Sequence, residues 1–413
     1  MQNAAPQPRF LYWEFIVLNG LLFAQNAMAL DVFLPVLPLM ELEYGLAPEQ
    51  AAVQQVFTIC FYGFALSQLV FAPLSDCFGR KPLLLFGCAV MAVGGIGVLL
   101  AGSFASILVW RFVQGAGMGA GRTVNLSALR DLYTGRELGR SVADMYMIFS
   151  IVPVVAPLLG VALGIWGWRA AAAVPVVLSI LLGLWLWKRY PETLPQDRRQ
   201  PFRPGTVLRN FGTVLSTRIT VLYAIAAGCT FSAILQLLLA ATPMGIKLYD
   251  APLFGPVVLA TIAALMAVVS RISAVLVLQT GMRVVGHGAL LIMTGGSMAL
   301  WGFGLVTDVP SMWALASLIL VVGAVLGAVL ANFQAIALGP HEAMAGTAAA
   351  VAGATMTFIG TTLQMVFARS AASGVSGLGF ALTICLVASL AFVLAAERGR
   401  LLRPEPAEAA TDG

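Results

Sequence analysis

The chain divides into about a dozen apolar stretches, each close to the roughly twenty residues that a helix needs to cross the hydrocarbon core of a bilayer. In hydrocarbon every backbone polar group must be satisfied within its own segment, so such stretches predict helices. They fall at 13–38, 51–72, 83–101, 106–129, 140–165, 169–187, 219–240, 253–277, 285–306, 311–334, 344–368 and 378–396. Composition allows no soluble alternative. Of 413 residues 60% are apolar and only 10% charged, with a mean hydropathy of +0.93, more apolar surface than one soluble interior can hide from water. The expected fold is an all-α membrane protein of 12 transmembrane helices.

The longest polar interval, 188–218, carries Pro191, Pro195, Pro201 and Pro204 among many cations, which favours a surface linker over a buried segment. It predicts an N-terminal six-helix bundle at 1–187, a linker at 188–218, and a C-terminal six-helix bundle with a short tail at 219–413. With the N-terminus inside, the cations outside the predicted helices gather on the inner side, and only Arg169, Lys247 and Arg369 fall outside. This asymmetry predicts cytoplasmic termini. It also accounts for the net charge of +5 without nucleic-acid binding. Arg9, the apolar run after it and Ala27-Met28-Ala29 imitate a cleavable signal, but the run continues through Pro38, longer than a signal core. Cys60, Cys77, Cys88, Cys229 and Cys385 form no Cys-x-x-Cys pair, and the histidines are His287 and His341 alone. Neither a disulfide framework nor a metal site is expected.

Ionisable groups inside predicted helices are costly, and they mark function or pairing. Asp31 lies roughly 27 Å from the inner end of the first helix at 1.5 Å per residue, in its outer half, and Arg111 lies about five residues into the fourth, which enters from the outside. Sharing a level, the two can pair, either as a fixed salt bridge or as a carboxylate that responds to substrate and conformation. Met118, Arg122 and Asn125 follow Arg111 on one stripe of the helical wheel. Arg122 has a candidate partner at similar depth in Asp144 on the fifth helix, structural or coupled to transport. In the second half the polar groups Gln236, Asn332, Gln334 and Gln364 suit substrate hydrogen bonding or interhelical ties; with Met118 and Asn125 they are the candidate cavity residues. No nucleophile, base and oxyanion donors converge, so no enzyme is expected.

The stretch Pro73 to Pro82 packs Asp76, Gly79, Arg80 and Lys81 between two apolar segments. It resembles the cytoplasmic loop signature Gly-x-Leu-Ala-Asp-x-x-Gly-Arg-Lys of the major facilitator superfamily, with Ala72 in place of the first glycine. Its residues suit a cytoplasmic gate in which Asp76 accepts from the eleventh helix near Met344 and Arg80 pairs with Asp131; a topogenic charge cluster without gating contacts is the alternative. A weaker copy, Gly281-Met282-Arg283, occupies the equivalent loop of the second half. Arg111-Phe112-Val113-Gln114-Gly115 resembles the family's fourth-helix arginine motif. Pro153, Ala156, Pro157 and Gly160 resemble its antiporter motif Gly-Pro-x-x-Gly-Gly, a bend that seals the cavity against leak; a generic kink is the alternative.

A narrower resemblance rests on Leu30-Asp31-Val32-Phe33-Leu34-Pro35-Val36-Leu37-Pro38, Ala128-Leu129-Arg130-Asp131-Leu132-Tyr133, Gly167-Trp168-Arg169-Ala170, Pro191-Glu192-Thr193-Leu194-Pro195 and Met344-Ala345-Gly346-Thr347-Ala348. It is similar to the bicyclomycin-resistance (Bcr/CflA) branch of the drug:proton antiporters. The resemblance implies a monomeric carrier in the bacterial inner membrane that exports drugs or amphiphilic metabolites in exchange for protons. The rocker-switch cycle turns on Asp31 and Arg111, driven by the proton gradient with no cofactor. A dedicated metabolite or siderophore exporter and a non-transporting sensor are the alternatives. Arg122 and Asp144 depart from the pattern, and each compensates the other in this reading.

Overall fold

The computed structural model describes residues 12–46, 52–149, 151–199, 201–307 and 309–402, with only the backbone of Arg136, Pro153, Val154, Glu342 and Ala343. Among the described residues the regular structure is helical, without strands. Ten helices among the described residues are long and apolar enough to cross a membrane; two further crossings complete the expected twelve. This is a multi-pass membrane protein.

The chain forms two compact units, Met1–Tyr44 with Ile59–Val207, and Gly45–Thr58 with Leu208–Gly413. The division falls inside the interval read as a linker. That interval is more regular than its prolines suggest, because its second part, from Pro204 onward, is itself helical.

In unit 1 the first crossing is broken. Helix α1 (Tyr12–Asp31) stops, a short 3-10 turn covers Leu34–Val36, and α2 (Leu37–Tyr44) continues. Pro35 is the cause, since it lacks the N–H that would answer the Asp31 carbonyl and disfavours helix at the residue before it. The second to fourth crossings are α3 (Gln55–Phe78), α4 (Arg80–Leu100) and α5 (Phe104–Leu132). Arg111, Arg122, Arg130 and Asp131 make α5 the most charged of these, and a capping box between Ser103 and Ser106 starts it. The fifth crossing is again split, into α6 (Gly135–Phe149) and α7 (Val152–Gly164), and α8 (Trp168–Arg189) is the sixth.

Small residues bring these helices together, as expected where apolar side chains gain nothing by leaving lipid. A side chain at Gly117 would strike Met91 and the Gly87 carbonyl of α4, and one at Gly115 the Cys60 carbonyl of α3. The Gly-x-x-x-Gly patterns of α5 are thus contact surfaces.

Unit 2 follows α9 (Pro204–Ser216) with α10 (Arg218–Tyr249), α11 (Phe254–Thr280), α12 (Met282–Val306), α13 (Met312–Ala324) and α14 (Leu326–Leu338), which together make one crossing, α15 (Ala345–Ala372) and α16 (Val375–Ala396). The two-fold repetition of the loop signature survives in the backbone. Gly79 (φ 98°, ψ 166°) precedes α4 and Gly281 (φ 88°, ψ 158°) precedes α12, a conformation that only glycine adopts without strain.

Candidate functional site

Asp31 sits at the end of α1, where the helix gives way, and is 8% exposed. Among the described residues its carboxylate has no hydrogen bond or ion pair. The anticipated pair with Arg111 is not formed. Arg111, fully buried, donates instead from Nη1 to the Ala29 carbonyl at 2.9 Å and to Gln114 Oε1 at 2.8 Å, with its guanidinium 4.3 Å from the centre of the Phe33 ring. The physical reason is the break itself. A helix that stops leaves its last carbonyls without donors and its end partially negative, and a cation one turn away answers both. Arg111 therefore grips the first crossing on either side of Asp31, at Ala29 and at Phe33.

The bend motif packs onto the same place. A side chain at Gly160 would strike the Val32 carbonyl and the Pro35 ring, and one at Gly164 would approach Val36 Cγ1 to 3.2 Å. Ala156 is buried and Pro157 lies inside α7, while the side chain of Pro153 lies outside the described residues. The seal motif, the arginine motif and Asp31 thus meet at one discontinuity, a conjunction that spacing alone does not reveal.

At the basic end of unit 1 the loop signature is closed by a network. Arg80, with a side chain 7% exposed, bonds Asp131 from Nε at 2.8 Å and Asp76 and Ser75 from Nη1 at 2.6 and 2.7 Å. Asp76 and Asp131 were assigned separate partners from the sequence; here one guanidinium holds both. Lys81 is half-buried without an ion pair in the described residues. The segment after α8 completes the cluster. Glu192 accepts from the backbone N–H of Arg80 at 2.8 Å and faces Arg199 at 3.5 Å, and Thr193 donates to Asp131 at 3.1 Å. A side chain on Gly79 would collide with Glu192, a second reason for glycine there. Glu192 and Thr193 belong to the resemblance segment Pro191 to Pro195, whose sequence assigns them no partner. Their signal in the sequence is a carboxylate three residues past the cations Lys188 and Arg189 at the end of a crossing.

The Arg122–Asp144 pair is not formed either. Asp144 accepts from the Tyr12 hydroxyl at 2.8 Å and lies 3.7 Å from Arg140. Equal depth was the basis for the pairing, but depth ignores azimuth. Arg140 stands one turn away on the same helix face as Asp144, and Tyr12 reaches it from the start of α1. Arg122 is half-buried, without a hydrogen bond or ion pair in the described residues.

The polar residues proposed for the cavity are mostly ties. Asn125 donates to the Asn19 carbonyl at 2.6 Å, Met118 accepts from Cys60, Gln236 bonds Cys385, Asn332 bonds Ser273, Gln334 bonds Met356 and Gln364 bonds Thr58. All but Gln334 are at most 5% exposed. In unit 2 the counterpart of Arg80 is in use: Arg283 bonds Glu397 at 2.8 Å, and Tyr223 bridges Glu397 and His287 at 2.8 Å each. The backbone N–H of Leu402 reaches His287 Nδ1 at 3.3 Å. Since Nδ1 accepts, the proton of a neutral ring resides on Nε2 and is donated to Tyr223, which donates on to Glu397.

The sequence pattern of the Major Facilitator Superfamily matches residues 20–365. The chain belongs to the major facilitator superfamily. Within it, the bicyclomycin resistance protein homolog of Haemophilus influenzae is 26% identical over 379 residues, 91% of this chain and 94% of that protein. Multidrug resistance protein D of Escherichia coli is 28% identical over 185 residues, 45% of this chain and 46% of that one. The chain spans about half the length of some curated relatives it matches. Among solved structures, a bacterial homologue of the human lysosomal transporter Spinster superposes with a TM-score of 0.72 at 17% identity, covering 97% of this chain and 100% of that one. The protein is thus an MFS transporter, with proteins named for bicyclomycin and multidrug resistance among those it is similar to.

Proposed function

We propose that this MFS transporter is a proton-coupled exporter of drugs or amphiphilic small molecules, working by alternating access in the bacterial inner membrane with both termini cytoplasmic. One observation carries the reading: a buried carboxylate, Asp31, without a partner among the described residues, at a helix break that Arg111 holds and Gly160 packs against. In an apolar setting such a group is stable when protonated, hydrated or paired. No cation among the described residues pairs with it, and a proton and water are what remain. Proton uptake from the periplasm neutralises Asp31 and releases substrate outward; loss of the proton to the cytoplasm resets the carrier. The Arg111 grip keeps the break in place through the cycle, and its apolar surroundings let substrates of varied shape enter.

The test is Asp31→Asn in everted membrane vesicles, with expression matched to the parent chain. Substrate-driven dissipation of a pH gradient is expected to vanish, while substrate-for-substrate exchange, which moves no proton, persists. Undiminished proton-driven efflux in the variant overturns the proposal.

A further inference from the structure

We infer that Arg122 is the binding group for an acidic function on the transported molecule, so that the preferred substrates are amphiphilic organic acids; the inference rests on the exporter reading above. Three lines on the structure meet at this residue.

The first is its place on α5. Gly117 and Ala120 face α4 at Met91 and Gly87; Gly121 faces α1 at the Leu22 carbonyl and Asn26; Gly119 faces α3 at Ser67. At about 100° per residue, Arg122 lies between the directions of Gly121 and Gly119 and nearly opposite α4. It occupies the wedge between α1 and α3, on the side of unit 1 away from α4. Its distance from Leu132, at the basic end of α5, is roughly 15 Å along the axis at 1.5 Å per residue. That is about the half-thickness of a hydrocarbon core, roughly 15 Å.

The second is the absence of a counter-ion among the described residues. The acids on neighbouring elements are engaged elsewhere: Asp144 with Tyr12 and Arg140, Asp131 and Asp76 with Arg80, Glu14 with Arg189. Asp31 lies at the far end of α1. A guanidinium stays charged at any pH a cell meets, so its charge must be met by water or by something that arrives. The third is a pair of unfilled acceptors beside it. Asn26 Oδ1 and Asn125 Oδ1 are buried and accept no hydrogen bond, and Asn26 faces Gly121, the residue next to Arg122. A planar fork of donors selects carboxylate, phosphonate or sulfonate by two parallel bonds, and the two amide oxygens select a neighbouring O–H or N–H on the same molecule.

The experiment measures equilibrium binding to the purified full chain in detergent, without a proton gradient, by quenching of intrinsic tryptophan fluorescence. The probes are matched sets of carboxylate, methyl ester and amine on naphthalene, biphenyl and decyl frames. The parent chain is expected to bind the carboxylates about 10-fold or more tighter than the esters, a ratio typical of one charge-assisted pair. Arg122→Gln is expected to bring the ratio to about one, and Arg122→Lys, a point charge without the fork, to retain part of it. A parent ratio near one, or an unchanged ratio in Arg122→Gln, overturns the inference. Should the Gln variant fail to fold, the parent ratio and an Arg122→Lys ratio below it decide. Addition of phosphatidylglycerol or inorganic phosphate separates other oxyanions: loss of the carboxylate preference in either arm assigns Arg122 to a headgroup or free phosphate and overturns the substrate assignment. Proton-driven export without acid preference refutes this inference alone, and acid-selective binding without proton-driven export refutes the exporter reading alone.

Discussion

Replacing Arg80 by methionine removes the one cation that serves both Asp76 and Asp131, and the structure fixes how unequal the two losses are. The Asp131 side chain is 18% exposed and Asp76 51%. Stranding a mostly buried carboxylate costs about 3–5 kcal/mol. Asp131 retains Thr193, which places Arg80→Met near 3 kcal/mol. Asp76, half in solvent, is worth at most about 1 kcal/mol, so Asp76→Asn costs less than a third as much. For a bundle of this size 1 kcal/mol moves the midpoint by about 2–4 °C. Thermal unfolding of the purified protein followed by tryptophan fluorescence is therefore expected to drop by about 6–12 °C for Arg80→Met and by no more than about 4 °C for Asp76→Asn. Arg80→Lys falls between, because an ammonium cannot span both acids with the fork of a guanidinium. Equal shifts for the Arg80→Met and Asp76→Asn variants, or an Arg80→Met midpoint at the parent value, refute the reasoning that Arg80 is a fastening internal to unit 1.

Gly160→Ala is expected to destabilise by about 1–3 kcal/mol through overpacking against Val32 and Pro35 and to depress export. Gly139→Ala, where a side chain meets nothing within 4 Å, is neutral or slightly stabilising; export and thermal unfolding of the two variants side by side check the contrast. Tyr223→Phe deletes the hydroxyl that His287 and Glu397 share, leaving both short of a partner at about 1–3 kcal/mol. A midpoint within about 1 °C of the parent, under 0.5 kcal/mol, shows that the two groups re-pair without it.

The crossings were readable because hydrocarbon imposes one requirement everywhere, and length with apolarity meets it. The Arg80–Asp131 contact was also readable, since both residues sit at helix ends on one side, where position along the axis fixes position in space. Within a crossing that ceases to hold. Asp31 and Arg111 share a level, yet Pro35 breaks α1 and offers Arg111 a bare carbonyl at Ala29 in preference to the carboxylate. Arg122 follows Gly121, which meets α1 at Leu22, whereas Asp144 turns to Tyr12 at the start of that helix. Depth is a one-dimensional coordinate, and partner choice inside a bundle depends on rotation about the axis, which one sequence specifies only through packing. The amides of Gln236 and Asn332 mislead for a related reason. In a dry interior a polar side chain is as useful for holding helices together as for meeting a ligand, and residue type does not distinguish the two.

The cluster around Arg80 joins pieces of chain that leave the ribosome far apart in time. Asp131 emerges 51 residues after Arg80 and Glu192 112 residues after it. While the early crossings enter the membrane, the loop of Asp76 and Arg80 stays open to water, its glycine turn uncovered. Only when the sixth crossing is in place does Glu192 reach the first residue of α4 and Thr193 reach Asp131. Assembly of the first half is thus ordered, with its last-made segment acting as the closing stitch, and a nascent chain released before that segment holds its crossings without their clasp.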